Sequence, residues 1–512
     1  RSECKCGKAA FYCHFKGKIP SASEDAPCQG RLDDRKTVFS MFSCTDMKTS
    51  NITRRHFFQD CAVGTGKIAL ASLLAESADG AANRPNMAAS SHFQPKAKAV
   101  IHMFMAGAPS QLELFDHKPM LTKYEGKPLP PSVIGGQRYA FIRPDAAVLG
   151  PRFKFAKHGQ SGIEISELFP HVAKSADDLC VIRSMHADTA AHASGCLQMN
   201  TGSIFIGKPC LGSWLNYGLG TANQDLPGFV VLTSAGKTGQ QPVSARQWSA
   251  GVLPSKYQGI QFQAKGQPVH YLGSPDGVCQ STQRQVVDEV KRLNGILAEE
   301  KLDPEIQTRI AQYEMAFKMQ SSVPDLIDMK SEPQHILDMY GVKQPGDGSF
   351  ASNCLLARKM AERGTRMIQL YHRAWDHHGG IVDGMKSAAL DVDQATAALI
   401  RDLKQRGMLD DTLILWGGEF GRTPMGQGTG RDHHILAFNV FMAGGGVKPG
   451  FSYGATDELG YRSVEDIVHV HDLHATMLHL LGIDHERLPY KFQGRRYRLT
   501  DVHGHVAKGL LA

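Results

Sequence analysis

Carboxylate and imidazole side chains recur in three short clusters in the C-terminal part of the 512-residue chain. The clusters lie in AWDHHGG (Asp376, His377, His378), GGEFGRT (Glu419, Arg422) and GRDHH (Arg431, Asp432, His433, His434). Carboxylate oxygen and neutral imidazole nitrogen are ligands of divalent ions such as Zn, Mn, Mg and Ca, and a two-metal site needs about six to eight such ligands. The clusters therefore predict a centre for one or two divalent metal ions.

Two further polar groups occur earlier in the chain. PSQLELFD contains Ser110, Glu113 and Asp116, and MHADTAAHAS contains Asp188, Thr189, His192 and Ser194. Taken singly, such loop residues more often cap turns or bond to nearby backbone than bind a metal. The metal interpretation therefore depends on whether the fold brings these groups together.

The elements that must position these groups alternate between strands and helices. Six apolar runs predict buried strands, at residues 97–105, 179–185, 228–233, 366–372, 412–416 and 437–443. Helical patterns occupy residues 163–175, 281–300, 304–320, 350–363 and 385–406. This alternation predicts an α/β fold, with a mostly parallel sheet and helices on both faces.

Ligands of such a sheet bind at the carboxyl ends of its strands. Four of the five polar groups directly follow a predicted strand, and GRDHH ends a glycine-rich loop that can reach the same edge. We expect one large domain over residues 92–506, in which residues 241–350 form an insertion or cap, and a short tail at residues 507–512. The insertion is expected because residues 241–280 lack periodicity and two helices follow without an intervening strand.

The region before this domain has the layout of an export signal. Arg54 and Arg55 precede an aromatic pair, an apolar run from Cys61 to Ala75 and a small-residue stretch, which is the order of a twin-arginine signal. An amphipathic helix is the alternative, and the run is too short for a stable membrane span. We therefore expect residues 47–91 to be signal and linker, the twin-arginine translocase to be a partner, and the product to be periplasmic or extracellular.

Residues 1–46 precede the signal and differ from the rest in cysteine usage. We interpret them as an upstream extension, either a translation artefact or a dispensable segment. The formal net charge of +7 contains no long basic run and accompanies no nucleic-acid motif. We therefore predict no nucleic-acid partner.

Several longer motifs resemble one bacterial family. HMFMAGAPSQLELFDHKP, AWDHHGG, WGGEFGRTP, GRDHH, HDLHATMLHLLGIDH and RLTDVHG are similar to those of the domain-of-unknown-function 1501 family. That family is usually exported by a twin-arginine signal, is often labelled sulfatase-like, and resembles the alkaline phosphatase superfamily. The resemblance implies an alkaline-phosphatase-like fold and a site with two metal ions.

The superfamily pattern also implies roles for particular residues. Asp376 and His378 correspond to one ligand pair, and Glu419 stands where a second pair would begin. The late ligand is His433 or His434, next to Asp432, and Asp116 is the carboxylate after the first strand.

The sequence departs from this pattern in three places. Phe420 stands where the superfamily commonly has a histidine, and the sulfatase signature C-x-P-x-R is absent from the chain. His192 occupies the expected nucleophile position, with Thr189 and Ser194 nearby. A histidine there can be phosphorylated, can bind a metal, or can mark a lost activity.

Two hypotheses follow from these residues. In the first, the protein is an exported metal-dependent hydrolase of phosphate or sulfate esters of a small molecule or polysaccharide. Arg422 or Arg431 then holds a non-bridging oxygen, and Thr189, Ser194 or activated water attacks. In the second, it is a non-catalytic exported binding or scaffold protein that keeps the fold.

Overall fold

The computed structural model describes residues 91–512, except residues 138, 140, 141, 236–240, 264–267, 270–272, 274–276 and 302. The predicted upstream extension and the predicted export signal, up to residue 90, lie outside the described residues. No helix in the described part of the chain is both long enough and apolar enough to cross a membrane.

Secondary structure is numbered here in chain order. The strands are β1 (Ala99–Met105), β2 (Phe155–His158), β3 (Ile163–Ser166), β4 (Leu179–His186), β5 (Phe229–Thr233), β6 (Ile260–Phe262), β7 (Met367–His372), β8 (Thr412–Gly417), β9 (Gly421–Gln427), β10 (Gly430–His434), β11 (Phe438–Ala443), β12 (Phe451–Tyr453), β13 (Ala455–Thr456), β14 (Ser463–Glu465), β15 (Val468–His469), β16 (Tyr490–Phe492) and β17 (Arg495–Tyr497). The α-helices are α1 (Met120–Tyr124), α2 (Pro131–Ile134), α3 (His192–Thr201), α4 (Leu211–Leu219), α5 (Gln280–Lys301), α6 (Pro304–Ile327), α7 (Gln334–Tyr340), α8 (Phe350–Glu362), α9 (Ile381–Gln405) and α10 (Val470–Leu480).

A nine-stranded sheet forms the centre of the described domain. Its strand order is β12-β4-β11-β8-β1-β7-β5-β6, and β15 also pairs with β4. Strand β11 is antiparallel to β4 and β8, whereas the other pairings within this sheet are parallel. The predicted mostly parallel sheet is thus confirmed, and each of the six predicted strands is present.

Both faces of this sheet are covered, as the side chains of β1 illustrate. Ile101 and Met103 pack in one apolar cluster with residues of α6, α7, α8 and α9. Val100 and Phe104 pack in a second cluster with residues of α3, α4 and α10. Successive residues of a strand point to opposite faces, so a strand that is apolar throughout must be buried on both. The prediction of helices on both faces is confirmed.

The predicted helix over residues 163–175 is wrong. Ile163–Ser166 is β3, which forms an antiparallel hairpin with β2, and a 3₁₀ helix follows at Val172–Asp178. Ile163 and Ile165 are buried while Glu164 between them is partly exposed, which is the alternation of a strand. Four residues are too few to distinguish this period from a helical one in the sequence.

The segment predicted as an insertion or cap contributes both to the sheet and to its surroundings. Strand β6 extends the main sheet next to β5, although the sequence showed no clear strand there. Helices α5 and α6 then pack against each other as a hairpin, which we call the α5–α6 arm. Glu314 of α6 forms ion pairs of 3.2 Å with Arg284 and with Lys291 of α5, and these hold the arm together.

Candidate metal centre

Four side chains from different parts of the fold converge on Asp376, in the loop after β7. Its Oδ1 atom lies 2.7 Å from Arg422 Nη2, 3.1 Å from His378 Nε2 and 3.3 Å from His433 Nε2. Its Oδ2 atom lies 3.1 Å from His192 Nε2. The loops after β4 and β7 and the β9–β10 hairpin therefore meet at one carboxylate.

The two imidazoles on Oδ1 also lie close to each other. His378 Nε2 and His433 Nε2 are 2.9 Å apart, and the outer nitrogen of His433 contacts the carbonyl oxygen of Ala190 at 2.5 Å. The outer nitrogen of His378 contacts the side-chain oxygen of Gln427. Histidine ligands of metals are commonly fixed in this way through the nitrogen that does not bind the metal.

Besides this set of Asp376, His378 and His433, two further groups of three donors among the described residues have ligand atoms within 4.8 Å of one another. They are His192, Asp376 and His433, and His378, Asp432 and His433. Both groups need His433, which turns only Nε2 towards the centre. The two groups therefore compete for that nitrogen.

The pairing of the β9–β10 hairpin is irregular beside Asp432. Arg431 pairs with Gly426 and His433 pairs with Arg422, so the additional residues of this irregularity lie on β9. Gly430 is required at the start of β10, because a Cβ atom there would lie 2.2–2.6 Å from backbone atoms of His377, His378 and Gly379.

His192 begins α3 and bridges two carboxylates. Its Nδ1 atom lies 2.6 Å from Oε1 of Glu419, and Glu419 also accepts a hydrogen bond of 3.0 Å from the amide of Gly107. Burial opposes protonation of His192, but the hydrogen bonds to Asp376 and Glu419 outweigh burial and raise its pKa to about 9. Glu419, which is fully buried, thus orients His192 from behind.

The charge balance of the centre keeps Asp376 ionised. Burial alone would raise its pKa, but hydrogen bonds from His192 and His433 and the charge of Arg422 together hold that pKa well below its usual range. Burial also lowers the pKa of His433, against the opposing effect of Asp376. A neutral imidazole beside an ionised carboxylate is the protonation state that metal binding requires.

Phe420, which follows Glu419, packs against two imidazoles of the centre. Its ring lies 5.0 Å from that of His192 and 4.8 Å from that of His433, measured between centroids, and it is buried. An apolar ring therefore borders the centre beside His192 and His433.

Two of the residues expected as metal ligands lie elsewhere. Asp116 accepts a hydrogen bond of 2.6 Å from Thr456 Oγ1 and pairs with Lys118 at 3.0 Å. His434 turns away from His433, because adjacent strand residues point to opposite sides, and contacts the carbonyl oxygen of Tyr461 at 2.5 Å. Burial lowers the pKa of His434 to about 4, so it is a neutral core histidine.

Neither arginine expected to hold a substrate oxygen is available for that role in this structure. Arg422 is buried and donates to the carbonyl oxygens of Ala108 and Arg431 as well as to Asp376. Arg431 is fully buried, pairs with Glu113 at 2.8 Å and donates to three carbonyl oxygens. Both guanidinium groups donate to acceptors within the protein. They therefore hold together the loops and strands that surround the centre.

The two hydroxyl candidates for the nucleophile pair with each other. Thr189 Oγ1 lies 2.9 Å from Ser194 Oγ, and Ser194 Oγ lies 3.2 Å from the carbonyl oxygen of Ala191. Both side chains are half-buried and flank His192 in the chain. Thr189 and Ser194 thus lie beside His192 and are hydrogen-bonded to each other.

Gly107, which the sequence reasoning missed, supports the centre from the loop after β1. It has a φ of 114°, and a Cβ atom there would lie 2.7 Å from the amide nitrogen of Asp376. Its amide donates to Glu419. The turn-rich sequence after the first strand was the available signal, since glycine is favoured where backbones approach closely.

Replacing this glycine gives the first prediction. Gly107→Ala is expected to lower the free energy of unfolding by roughly 2–4 kcal/mol. The positive φ strains an alanine backbone, and the added Cβ atom clashes with the backbone of Asp376. Gly207→Ala is the matched control, because Gly207 has a φ of 93° but nothing within 4 Å of its added Cβ atom. It should cost about 1–2 kcal/mol. Urea denaturation of both variants checks the difference, and equal losses would contradict the clash.

The fold and the centre together define an α/β protein with a candidate metal site at the carboxyl edge of its sheet. The chain belongs to the DUF1501 family, described as a protein of unknown function, whose model matches residues 97–511. No curated protein matches the chain.

Solved structures that are similar to this chain include a sulfatase, an alkaline phosphatase and a lipoteichoic acid synthase. A sulfatase (PsFucS1) from Pseudoalteromonas sp. is 13% identical, with a TM-score of 0.33, over 82% of this chain and 72% of its own. The TAB5 alkaline phosphatase mutant His 135 Glu, with Mg bound in its M3 site, is 12% identical, with a TM-score of 0.32, over 76% and 99%. The lipoteichoic acid synthase LtaP from Listeria monocytogenes is 9% identical, with a TM-score of 0.35, over 84% and 79%.

Proposed function

We propose that this chain is an exported metal-dependent hydrolase of phosphate or sulfate esters, with Asp376, His378 and His433 as its metal ligands. The observation that carries the proposal is the convergence of two imidazole Nε2 atoms on one carboxylate oxygen, within 2.9–3.3 Å of one another. Asp432 forms a further donor group with His378 and His433. Donors this close require a shared proton or a shared cation.

The chemistry of the donor set fits a metal ion and limits its identity. Two imidazoles with carboxylates suit Zn²⁺ or Mn²⁺, whereas Mg²⁺ and Ca²⁺ prefer ligand sets made of oxygen alone. Because both candidate groups need the same nitrogen of His433, and Phe420 replaces a further ligand, we propose one ion per chain. A bound ion of this kind supplies Lewis-acid polarisation of an ester oxygen.

The residues of the chain then have distinct tasks. Arg422 holds Oδ1 of Asp376 from the buried side, so the carboxylate keeps one orientation. Glu419 fixes the ring of His192 through Nδ1 and thereby aims Nε2 at the centre. Thr189 and Ser194 remain the candidate nucleophiles, together with His192, because they lie next to the centre on the loop that leads into α3.

The proposed substrate is a phosphate or sulfate ester of a small molecule or a polysaccharide, met in the periplasm or outside the cell. The likeness to an exported, sulfatase-like family supports this location, and the proposal includes passage through the twin-arginine translocase. The absence of C-x-P-x-R from the chain favours a mechanism without formylglycine.

The second candidate function is a non-catalytic binding or scaffold protein. The saturation of Arg422 and Arg431 by internal acceptors favours it, because neither guanidinium is left to hold a transferred oxyanion. The mutual hydrogen bond of Thr189 and Ser194 favours it as well. A binding protein of this kind would retain the ion and lack turnover.

One experiment separates the two functions. The full chain is exported and purified without chelator, its metal content is measured by mass spectrometry, and nitrophenyl phosphate and nitrophenyl sulfate are offered as substrates. We expect one Zn or Mn ion per chain and hydrolysis of one ester class. A bound ion without turnover would support the binding protein, and neither ion nor turnover would contradict the proposal.

A further inference from the structure

Arg373, which directly follows β7, has few hydrogen-bond partners inside the protein. Its Nε atom is buried and has no hydrogen-bond partner among the described residues. Its Nη2 atom donates one long hydrogen bond, of 3.5 Å, to the carbonyl oxygen of Val243. A guanidinium group has five N–H donors, and buried donors without acceptors are unfavourable. Because the residue as a whole is half-buried, Arg373 combines unused donors with access from solvent.

Two observations place Arg373 on the same side of the sheet as α3. Tyr371, two residues earlier in the chain, packs in an apolar cluster with residues of α3 and α4, and alternate residues of a strand point to the same face. Val243, whose carbonyl oxygen contacts Arg373, packs against the same cluster. Arg373 therefore lies on the side from which His192 approaches Asp376.

Contacts along α3 show that Arg373 is also close to the centre along the direction of β7. Near the middle of β7, Gln369 donates to Asn200 in the last turn of α3. Beyond the end of β7, Asp376 lies 3.1 Å from His192 in the first turn of α3. Helix α3 therefore runs back alongside β7. Arg373 lies between these two contacts in the chain, beside the centre.

The backbone next to Arg373 is held in an unusual conformation. Ala374 has a φ of 74°, which is uncommon for a residue other than glycine, and its amide donates a hydrogen bond of 3.1 Å to Oε1 of Gln241. Gln241 is buried and lies two residues before Val243. Strained backbone persists where its surroundings fix it, and it is common at functional sites. The contacts with Gln241 and Val243 therefore fix the position of Arg373.

We propose that Arg373 binds the phosphate or sulfate group of the substrate, the role for which Arg422 and Arg431 are not available. This inference rests on the proposed function of the centre. A planar guanidinium group donates two parallel hydrogen bonds to two oxygens of an oxyanion, which fixes the orientation of the anion. The carboxylates of the centre repel an oxyanion, and a cation with unused donors beside them offsets this repulsion.

The test measures the binding of inorganic phosphate and of inorganic sulfate to the full chain, purified without chelator, by isothermal titration calorimetry. Arg373→Gln should weaken binding of the preferred anion by about tenfold to a hundredfold. Arg373→Lys should recover part of this loss, because lysine keeps the charge without the planar donors. Arg309→Gln is the matched control, because Arg309 is exposed on α6 and its replacement changes the net charge equally. It should leave the affinity within about twofold of that of the wild type.

Two further measurements exclude a merely structural role. Arg373→Gln should keep the unfolding midpoint of the wild type, because only one long hydrogen bond is lost, and should keep the affinity for Zn²⁺ within about twofold. A lower midpoint or weaker Zn²⁺ binding would overturn the proposal. A wild type that binds neither anion, or an Arg373→Gln variant that binds the anion as tightly as the wild type, would also overturn it.

The same variants distinguish failure of this proposal from failure of the proposed function. Anion binding that depends on Arg373, without ester hydrolysis by the wild type, would support the anion site and contradict turnover. Ester hydrolysis with a KM that Arg373→Gln leaves unchanged would support turnover and contradict the role of Arg373.

Discussion

Asp376→Asn is expected to lower the affinity of the chain for Zn²⁺ by about a hundredfold or more, and to abolish any ester hydrolysis. Asp376 contacts His192, His378 and His433, and asparagine keeps the shape of aspartate without its charge. Competition against a chromogenic chelator measures the affinity. The rise in unfolding midpoint on adding Zn²⁺ should also disappear, since only binding to the folded state gives such a rise.

Asp188→Asn is the matched control for this prediction. Asp188 lies on the loop after β4, where it contacts His469 at 3.1 Å, and it lies outside the two donor groups found among the described residues. The affinity of the Asp188→Asn variant for Zn²⁺ should stay within about twofold of that of the wild type. If Asp376→Asn bound Zn²⁺ as tightly as Asp188→Asn, the ion would have to be held elsewhere, and the proposed ligands would be wrong.

Arg431→Met is expected to cost about 3–5 kcal/mol of unfolding free energy. Arg431 and Glu113 are both fully buried and lie 2.8 Å apart, so removing the arginine leaves an uncompensated carboxylate in the core. The double variant Glu113→Gln, Arg431→Met should recover part of the loss, because it removes the second charge as well. Urea denaturation, with the slope compared among variants, measures these differences.

An exposed ion pair provides the control for Arg431. Lys98 and Asp411 lie 2.6 Å apart at the surface, and Lys98→Met should cost less than about 1 kcal/mol. Arg431 also fixes the β9–β10 hairpin that carries His433, so its loss should weaken metal binding too. A similar small cost for both substitutions would show that the buried pair does not stabilise the hairpin.

Most of the main sheet was predictable because its strands are short, continuously apolar runs bounded by turns. Residues 412–416 and 437–443, for example, correspond to β8 and β11 within one or two positions. The direction of β11 was not predictable from its composition. The β9–β10 hairpin lies between β8 and β11 in the chain. After this hairpin, β11 joins the sheet antiparallel to β8.

The sequence predicted where in the fold the candidate centre lies better than it predicted the role of each residue in it. Strand ends in a parallel sheet share an edge, so Asp376, His378, Asp432 and His433 could be expected near one another. The exclusion of His434 could not be read from GRDHH, because it depends on how β10 pairs with β9 and on the contact of His434 with Tyr461. Arg431 and Arg422 look like surface cations in sequence, and only packing reveals that Glu113 and Asp376 hold them in the interior.

The sequence alone determined the family, the α/β class and the edge of the sheet at which the chemistry gathers. Those properties follow from local patterns, namely apolar runs for strands and polar residues directly after them. The tertiary structure decided which carboxylates face the imidazoles, that Glu419 orients His192, and that AWDHHGG contributes Asp376 and His378 to one cluster. Such roles depend on contacts between residues far apart in the chain, whose distances and burial no local pattern encodes.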